Sequence, residues 1–99
     1  MGVPVISLAG KVHAARVGAS LLDAIGLPDL VATTREGFVA LAASLAGDAE
    51  RVSRLRAGMR DRMMASPLCD GVALCRAIES AYRNAWAKHV REFTASANA

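Results

Sequence analysis

Residues 1–22, MGVPVISLAGKVHAARVGASLL, decide the fold of this 99-residue chain. Within them, Val3–Leu8 is an apolar run rich in β-branched residues, which predicts a strand buried on both faces, as in a parallel sheet. Pro4 limits that strand, because proline donates no ladder hydrogen bond. A glycine-containing loop follows at residues 9–12, and from His13 the apolar spacing becomes that of a helix. The stretch therefore predicts one βα unit, which needs further strands to complete a sheet.

The first helix is predicted to lie close against this strand. Its apolar residues share one face and are Val17, Leu21 and Ile25, with the small residues Ala14 and Gly18 beside them. Small side chains at those positions allow a helix to approach a strand closely. Gly26 favours a left-handed helix end, and Pro28 prevents the helix from continuing.

The middle of the chain predicts a short extended segment and two helices. Leu30–Ala32 is apolar and short, which indicates a brief second strand or an extended connection. Thr33 with Glu36 three residues later has the spacing of a capping box, and it predicts the start of the second helix. Gly47 ends that helix, and Asp48 is a candidate N-cap of the third. The apolar faces of these two helices are Phe38, Leu41 and Leu45, and then Val52, Leu55, Met59 and Met63.

The last part of the chain predicts one long helix. Ser66-Pro67 ends the third helix, since the residue before proline is pushed out of the helical region. Asp70 is a candidate N-cap of the fourth helix, and the tail at residues 94–99 is expected to fray. The apolar stripe of the fourth helix is Cys75, Ile78, Tyr82 and Trp86, continued by His89 or Val90 and by Phe93. We expect Tyr82 and Trp86 to anchor a core.

Composition limits the class of protein. The chain is 54% hydrophobic but only 4% aromatic, which favours helices packed through small side chains. No apolar run approaches the roughly 20 residues of a membrane-spanning helix, and no signal-peptide pattern is present. We therefore expect a cytoplasmic protein with no membrane partner. Cys69 and Cys75 match no zinc or redox spacing, and we expect both to be reduced, with Cys75 in the core.

The positive charge is concentrated in one helix. The formal net charge is +3, and the segment Arg51–Arg62 carries five arginines against a single acid, Asp61. Such charges usually form the solvated side of an amphipathic helix. Nucleic-acid binding requires a groove-entering motif or aromatic residues among the charges, and neither is present in this segment. A nucleic-acid partner is therefore the least favoured alternative.

Several motifs in order resemble one enzyme family. The first 32 residues are similar to the string GVPVVTLAG…HASRVGASLL…GLPELVA of bacterial members of the O-linked N-acetylglucosamine transferase (SPINDLY-like) family. Residues 38–48 and 54–60 resemble its "eYv…A..LA.D" and "LR..lR" stretches. Ser66-Pro67-Leu68 with Asp70 matches its SPL.D motif, and residues 78–86 resemble its "lE.aY..mW" ending. The resemblance extends over roughly residues 1–90.

The resemblance implies a fold and an activity. Family members have a GT-B architecture of two Rossmann-like lobes, and they transfer GlcNAc from UDP-GlcNAc to Ser or Thr hydroxyls of proteins. They need no metal cofactor, because a lysine, helix N-terminal amides and hydroxyls stabilise the diphosphate. By this resemblance the chain is an α/β, mostly helical segment with one or two strands and about four helices. Residues 1–93 would form the C-terminal part of a GT-B lobe, and residues 94–99 the frayed tail.

The family's principal binding residues have no counterpart in these 99 residues. Its His-Thr-Thr diphosphate segment, its ribose-binding aspartate and its phosphate-binding lysine all lie upstream of the position that Met1 matches. Thr33-Thr34 does not replace them, because it follows a different strand and lacks the histidine. We therefore expect no catalytic residue here, and we expect the isolated chain to be inactive and not to bind UDP in the family's manner.

One loop is the candidate substrate-adjacent region. Gly10, Lys11 and His13 follow the carboxyl end of the first predicted strand, where open α/β folds place ligands. In an intact enzyme this loop would border the donor sugar or the acceptor. Lys11 can supply charge to a phosphate, although a solvated loop lysine is the simpler reading. Arg16 matches an arginine of the family's "SRVG" string, and we expect it to make a structural pairing.

Two partner hypotheses remain open. In the first, the chain is part of a protein O-GlcNAc transferase and its partner is the remainder of that enzyme, which also binds a protein acceptor. In the second, it is a small non-catalytic protein that pairs with a second copy through Val3–Leu8.

Overall fold

A computed structural model describes residues 2–98 of the chain. In this range it has four α-helices, α1 Val17–Ala24, α2 Arg35–Ala46, α3 Ala49–Met64 and α4 Gly71–Ala97. Two short strands, β1 Ser7–Leu8 and β2 Val31–Ala32, are parallel, with Ser7 opposite Val31 and Leu8 opposite Ala32. Turns of 3-10 helix occupy His13–Ala15, Pro28–Leu30 and Pro67–Cys69. This agrees with the predicted mostly helical α/β organisation.

The first strand is shorter and more exposed than its sequence predicted. Only Ser7 and Leu8 of the run Val3–Leu8 pair with another strand. Val3 is 69% exposed and Val5 is 55% exposed, so the prediction of a strand buried on both faces is wrong for these residues. The physical reason is that β2 is two residues long and covers only one edge of β1. Pro4 has no N–H to extend the ladder.

Helix α1 lies against β1 as predicted, but it begins later and is rotated. Residues 13–15 form a 3-10 turn and the helix starts at Val17, so the face that is buried is centred on Leu22 rather than on Leu21. Gly18 faces β1, and a Cβ atom there would lie 2.5 Å from Oγ of Ser7. The predicted helix end is confirmed, since Gly26 has a left-handed φ of 73°.

The core lies between α1, α2 and α3. Its buried members are Leu22, Leu27, Leu30, Leu45 and Met59, and Leu30 has no exposed surface. Val52, Leu55 and Met63 are half-buried and pack against this core, which confirms the predicted apolar face of α3.

Side-chain caps set the starts of three helices. Thr34, and not Thr33, caps α2, because its Oγ1 accepts a hydrogen bond of 3.0 Å from the Gly37 N–H. The predicted capping box of Thr33 and Glu36 is therefore wrong: Thr34 is a simple N-cap, because Gly37 at the third helical position has no side chain to return the bond. Asp48 and Asp70 cap α3 and α4 as predicted, each through Oδ1 at 3.0 Å from a backbone N–H three residues later.

The chain divides into two compact units, and helix α4 with its cap, from Asp70 onward, is the second. In that unit Cys75 is exposed, Tyr82 is 72% exposed and Trp86 is 68% exposed, so the prediction that they lie in a core is wrong. The reason is that a single helix has no second element in its own unit to cover its apolar stripe. The helix continues to Ala97, and the expected fraying of residues 94–99 stays a prediction, with Ala99 outside the described residues.

None of the helices described for residues 2–98 is both long enough and apolar enough to cross a bilayer.

Candidate functional site

The candidate site is the segment that joins β1 to α1, residues 9–16, called here the β1–α1 loop. It begins at the carboxyl end of β1, where the Ala9 N–H donates to the Ala32 carbonyl oxygen at 2.8 Å. That bond extends the pairing with β2 by one residue. The loop therefore starts at the edge of a parallel pair of strands, which is the edge where α/β folds bind ligands.

Gly10 closes the base of the loop. Its N–H donates to the Ala15 carbonyl oxygen at 3.0 Å, and its own carbonyl oxygen accepts from Nη1 of Arg16 at 3.0 Å. A Cβ atom at position 10 would lie 2.6 Å from the Cβ of Ala15, closer than such atoms approach one another. Glycine is therefore required here by close approach of the two limbs of the loop.

Arg16 connects the loop to the first turn of α1. Its N–H donates to the His13 carbonyl oxygen at 2.9 Å. Its own carbonyl oxygen accepts from the Ser20 N–H at 3.0 Å and from the Ser20 hydroxyl at 3.2 Å. Arg16 thus makes the structural pairing that the sequence indicated, and its partner is the backbone of Gly10.

Lys11 and His13 are the chemically useful side chains of the loop. Both are exposed, and they lie between the two points at which the loop is tied. The structure therefore brings Gly10, Lys11, His13 and Arg16 together in one short loop. An ammonium group and an imidazole can bind an anion or exchange a proton with a ligand. Contact of these residues with a substrate stays a prediction.

Within residues 2–98, no cluster of three or more His, Cys, Asp or Glu residues has the placement of a metal site.

Two arginines of the basic segment bond to other parts of the chain. Arg51 forms an ion pair with Asp29, and Nη1 of Arg62 donates to the carbonyl oxygens of Ile25 and Gly26 at 3.2 and 3.3 Å. The prediction of a solvated arginine face is wrong for Arg51, which is half-buried, whereas Arg62 is exposed as predicted and also bonds to the end of α1. A cation beside the last carbonyls of a helix is favoured by their partial negative charge. Gly26 as the end of α1 was the signal for such a partner.

An apolar groove was missed by the sequence reasoning. It encloses about 430 Å³, and its walls include Val5, Leu21, Ile25, Met59 and Met63. Gly18 and Leu22 also line it. The signal for it was the run Val3–Leu8, whose first residues have no covering strand in the described chain. The groove lies beside α1 and contains no charged lining residue, so it is not a site for an anion.

Comparison with known proteins identifies the family. Residues 1–78 match the model of Glycosyl transferase family 41. The chain belongs to glycosyl transferase family 41.

Family members from plants and from an animal align with most of the chain. A probable UDP-N-acetylglucosamine–peptide N-acetylglucosaminyltransferase SPINDLY from Hordeum vulgare is 47% identical over 89 residues, which is 90% of this chain and 9% of that protein. The protein of the same name from Arabidopsis thaliana is 46% identical over 92% of this chain and 10% of its own length. A UDP-N-acetylglucosamine–peptide N-acetylglucosaminyltransferase from Caenorhabditis elegans is 32% identical over 89% of this chain and 8% of its own.

The chain thus spans about a tenth of the length of these family 41 relatives. It is similar to one short segment of each, and the match to the family model, residues 1–78, includes the β1–α1 loop.

Proposed function

We propose that residues 1–93 act as the C-terminal part of the donor-binding lobe of a GT-B protein O-GlcNAc transferase. Such an enzyme transfers GlcNAc from UDP-GlcNAc to Ser or Thr hydroxyls of proteins. The observation that carries the proposal is the 46–47% identity, over nine-tenths of the chain, to proteins named as UDP-GlcNAc–peptide transferases. The reaction itself is proposed for the larger enzyme, because the chain spans about a tenth of such proteins.

The described geometry is compatible with this role. β1, α1 and β2 form a parallel strand–helix–strand unit, the building block of Rossmann-like lobes. The β1–α1 loop lies at the carboxyl end of β1, on the side where such lobes hold nucleotides. The proposed role of the segment is therefore to complete and support the donor site.

The chemistry of transfer sets what this segment contributes. The acceptor hydroxyl oxygen forms a bond to the anomeric carbon, the bond from that carbon to the diphosphate breaks, and UDP leaves as an anion while the hydroxyl proton goes to a base. A nearby cation stabilises the diphosphate as its charge develops. Lys11 and His13 are exposed on the loop that would face this group, and they are the only side chains of the candidate loop that we propose to approach the donor.

A segment exchange tests the proposal. The aligned segment of the Arabidopsis relative is replaced by this chain, and transfer of labelled GlcNAc from UDP-GlcNAc to an acceptor protein is measured. We expect activity well above that of the same protein with the segment deleted. A folded, soluble exchange protein with no more activity than the deletion would contradict the proposal.

The isolated chain gives a second test. Because the diphosphate-binding residues of the resemblance have no counterpart in these residues, a UDP titration followed by calorimetry should be flat. Saturable binding with micromolar affinity would show that the residues present form a nucleotide site of their own.

Self-association is the second candidate function, and the exposure of Val3 and Val5 favours it. A strand edge and an apolar surface without a cover are templates for pairing with another chain. A cooperative melt together with a defined dimer mass would support this candidate over the transferase segment. Nucleic-acid binding is less favoured, since Arg51 and Arg62 are engaged within the chain; no binding to duplex or single strands at low salt is expected.

A further inference from the structure

Both polar groups of the Gly10 backbone are bonded across the base of the β1–α1 loop. The Gly10 N–H donates a hydrogen bond to the Ala15 carbonyl oxygen at 3.0 Å, and the Gly10 carbonyl oxygen accepts one from Nη1 of Arg16 at 3.0 Å. The first bond joins backbone to backbone, whereas the second depends on one side chain. Arg16 is therefore the only residue of the described loop whose replacement removes a closing bond without changing the backbone.

Arg16 is itself held in place by the start of α1. The Ser20 N–H and the Ser20 hydroxyl both donate to its carbonyl oxygen, at 3.0 and 3.2 Å. The guanidinium of Arg16 therefore fixes Gly10, at the start of the loop, relative to the first turn of α1. Lys11 and His13 lie between Gly10 and Arg16 in the chain, so the hydrogen bond from Arg16 to Gly10 limits the conformations that they can adopt.

We propose that Arg16 is a positioning residue, which holds the β1–α1 loop closed so that Lys11 and His13 meet the diphosphate of the nucleotide sugar together. The inference rests on the proposed function. An open loop loses backbone entropy when a ligand orders it, and a preformed loop does not. Preformed geometry matters most for charge that develops in the transition state.

Arginine suits this position better than lysine. Its planar guanidinium offers five N–H donors in a fixed arrangement and is always charged, whereas lysine has one compact ammonium on a flexible stem. One donor is used on the Gly10 carbonyl oxygen. Arg16→Lys therefore keeps the charge and can keep a bond, but it fixes the loop less well.

The closure of the loop is tested first in the chain itself. Amide hydrogen exchange at Gly10 is compared in the unsubstituted chain, Arg16→Ala and Arg16→Lys, with Arg60→Ala as the control on an exposed residue of α3. We expect exchange at Gly10 to accelerate about tenfold in Arg16→Ala and less in Arg16→Lys. Unchanged exchange in Arg16→Ala would show that the backbone bond alone closes the loop, and it would overturn the proposal.

The positioning role is tested by kinetics in the segment-exchange transferase. We expect Arg16→Ala to lower kcat/KM for UDP-GlcNAc about tenfold or more, with partial recovery in Arg16→Lys, and Arg60→Ala to leave it unchanged. Because Arg16 acts through the loop, Arg16→Ala should cost little further activity when Lys11 and His13 are already alanine. If Arg16 only stabilised the fold, Arg16→Ala would lower activity by the same factor whether or not Lys11 and His13 were present.

The outcomes separate the two proposals. An inactive exchange protein overturns the proposed function and, with it, the role of Arg16. If the exchange protein is active and the losses of kcat/KM from alanine at position 16 and from alanine at positions 11 and 13 are additive, only the proposed role of Arg16 is overturned.

Discussion

At Gly18 the backbone of α1 comes into direct contact with β1. A Cβ atom there would lie 2.5 Å from Oγ and 3.2 Å from Cβ of Ser7, so an added side chain requires Ser7 to change rotamer and α1 and β1 to separate by a few tenths of an ångström. We expect Gly18→Ala to lower the free energy of unfolding by about 1–3 kcal/mol, the usual cost of overpacking. Urea unfolding followed by circular dichroism at low micromolar concentration measures this.

Gly58 is the matched control for that substitution. It lies within α3, and a Cβ atom there would have no neighbour within 4 Å. Gly58→Ala should therefore raise the free energy of unfolding by roughly 0.5–1 kcal/mol through helix propensity alone. Equal effects of the two substitutions would contradict the close approach of α1 and β1.

Arg62 joins the end of α1 to α3 through a single guanidinium. It donates to the carbonyl oxygens of Ile25 and Gly26, which have no further helical partner. We expect Arg62→Met, which keeps much of the apolar stem, to lower the free energy of unfolding by about 1 kcal/mol. Arg60→Met changes an exposed arginine of the same helix and should have little effect. A urea midpoint for Arg62→Met that equals that of Arg60→Met would show that the contact contributes nothing.

At the scale of the elements, only one of two neighbouring threonines caps the start of α2. Thr34 caps the helix through the Gly37 N–H, whereas the sequence pattern pointed to Thr33. Thr34→Ala should lower the free energy of unfolding by about 0.5–2 kcal/mol, the usual value for an N-cap. Thr33→Ala, measured in the same way, should have a clearly smaller effect; the reverse order would restore the capping box of the sequence prediction.

Local signals predicted the ends of the elements well. Asp48, Asp70 and Gly26 act within one turn of the backbone, and each does what its residue type and position indicated. The length of β1 was not predictable in this way. Whether Val3 and Val5 join a ladder depends on a neighbouring strand, and the pattern of a strand says nothing about whether that neighbour is within these residues.

The candidate loop was located by sequence, but its internal bonds were not. Gly10, Lys11, His13 and Arg16 were identified from the end of a strand and from the family resemblance. The bond from Arg16 to Gly10 spans six residues and depends on a 3-10 turn that the helical pattern concealed. The ties of Arg51 and Arg62 reach residues 22 and 37 positions away, and a charge run alone does not reveal such partners.

At the scale of the whole molecule, uncovered apolar surface dominates the expected behaviour. Val5 lines the open groove, and Trp86 belongs to the exposed stripe of α4. We expect the isolated chain to self-associate as its concentration rises, since exposed apolar patches drive association. Val5→Lys and Trp86→Lys, made separately, should each reduce the mass-average size measured by light scattering.

Val39→Lys is the control for these substitutions. Val39 is 65% exposed on α2 and does not line the groove, so its replacement should leave association unchanged. A strictly monomeric unsubstituted chain would contradict the prediction. If all three lysine substitutions reduced the mass-average size equally, the reduction would come from the added charge and not from the apolar surface.

The parallel pairing of β1 with β2 has a consequence for the order of folding. Ser7 meets Val31, which lies 24 positions later, and the helix that crosses between the two strands lies in the intervening segment. Parallel pairing across such a crossover forms slowly, because the entropy of closing the loop is lost before the contacts are made. The β1–α1–β2 unit is therefore expected to assemble late, after the local turns of α2 and α3 have formed, and to offer an edge to any further strand.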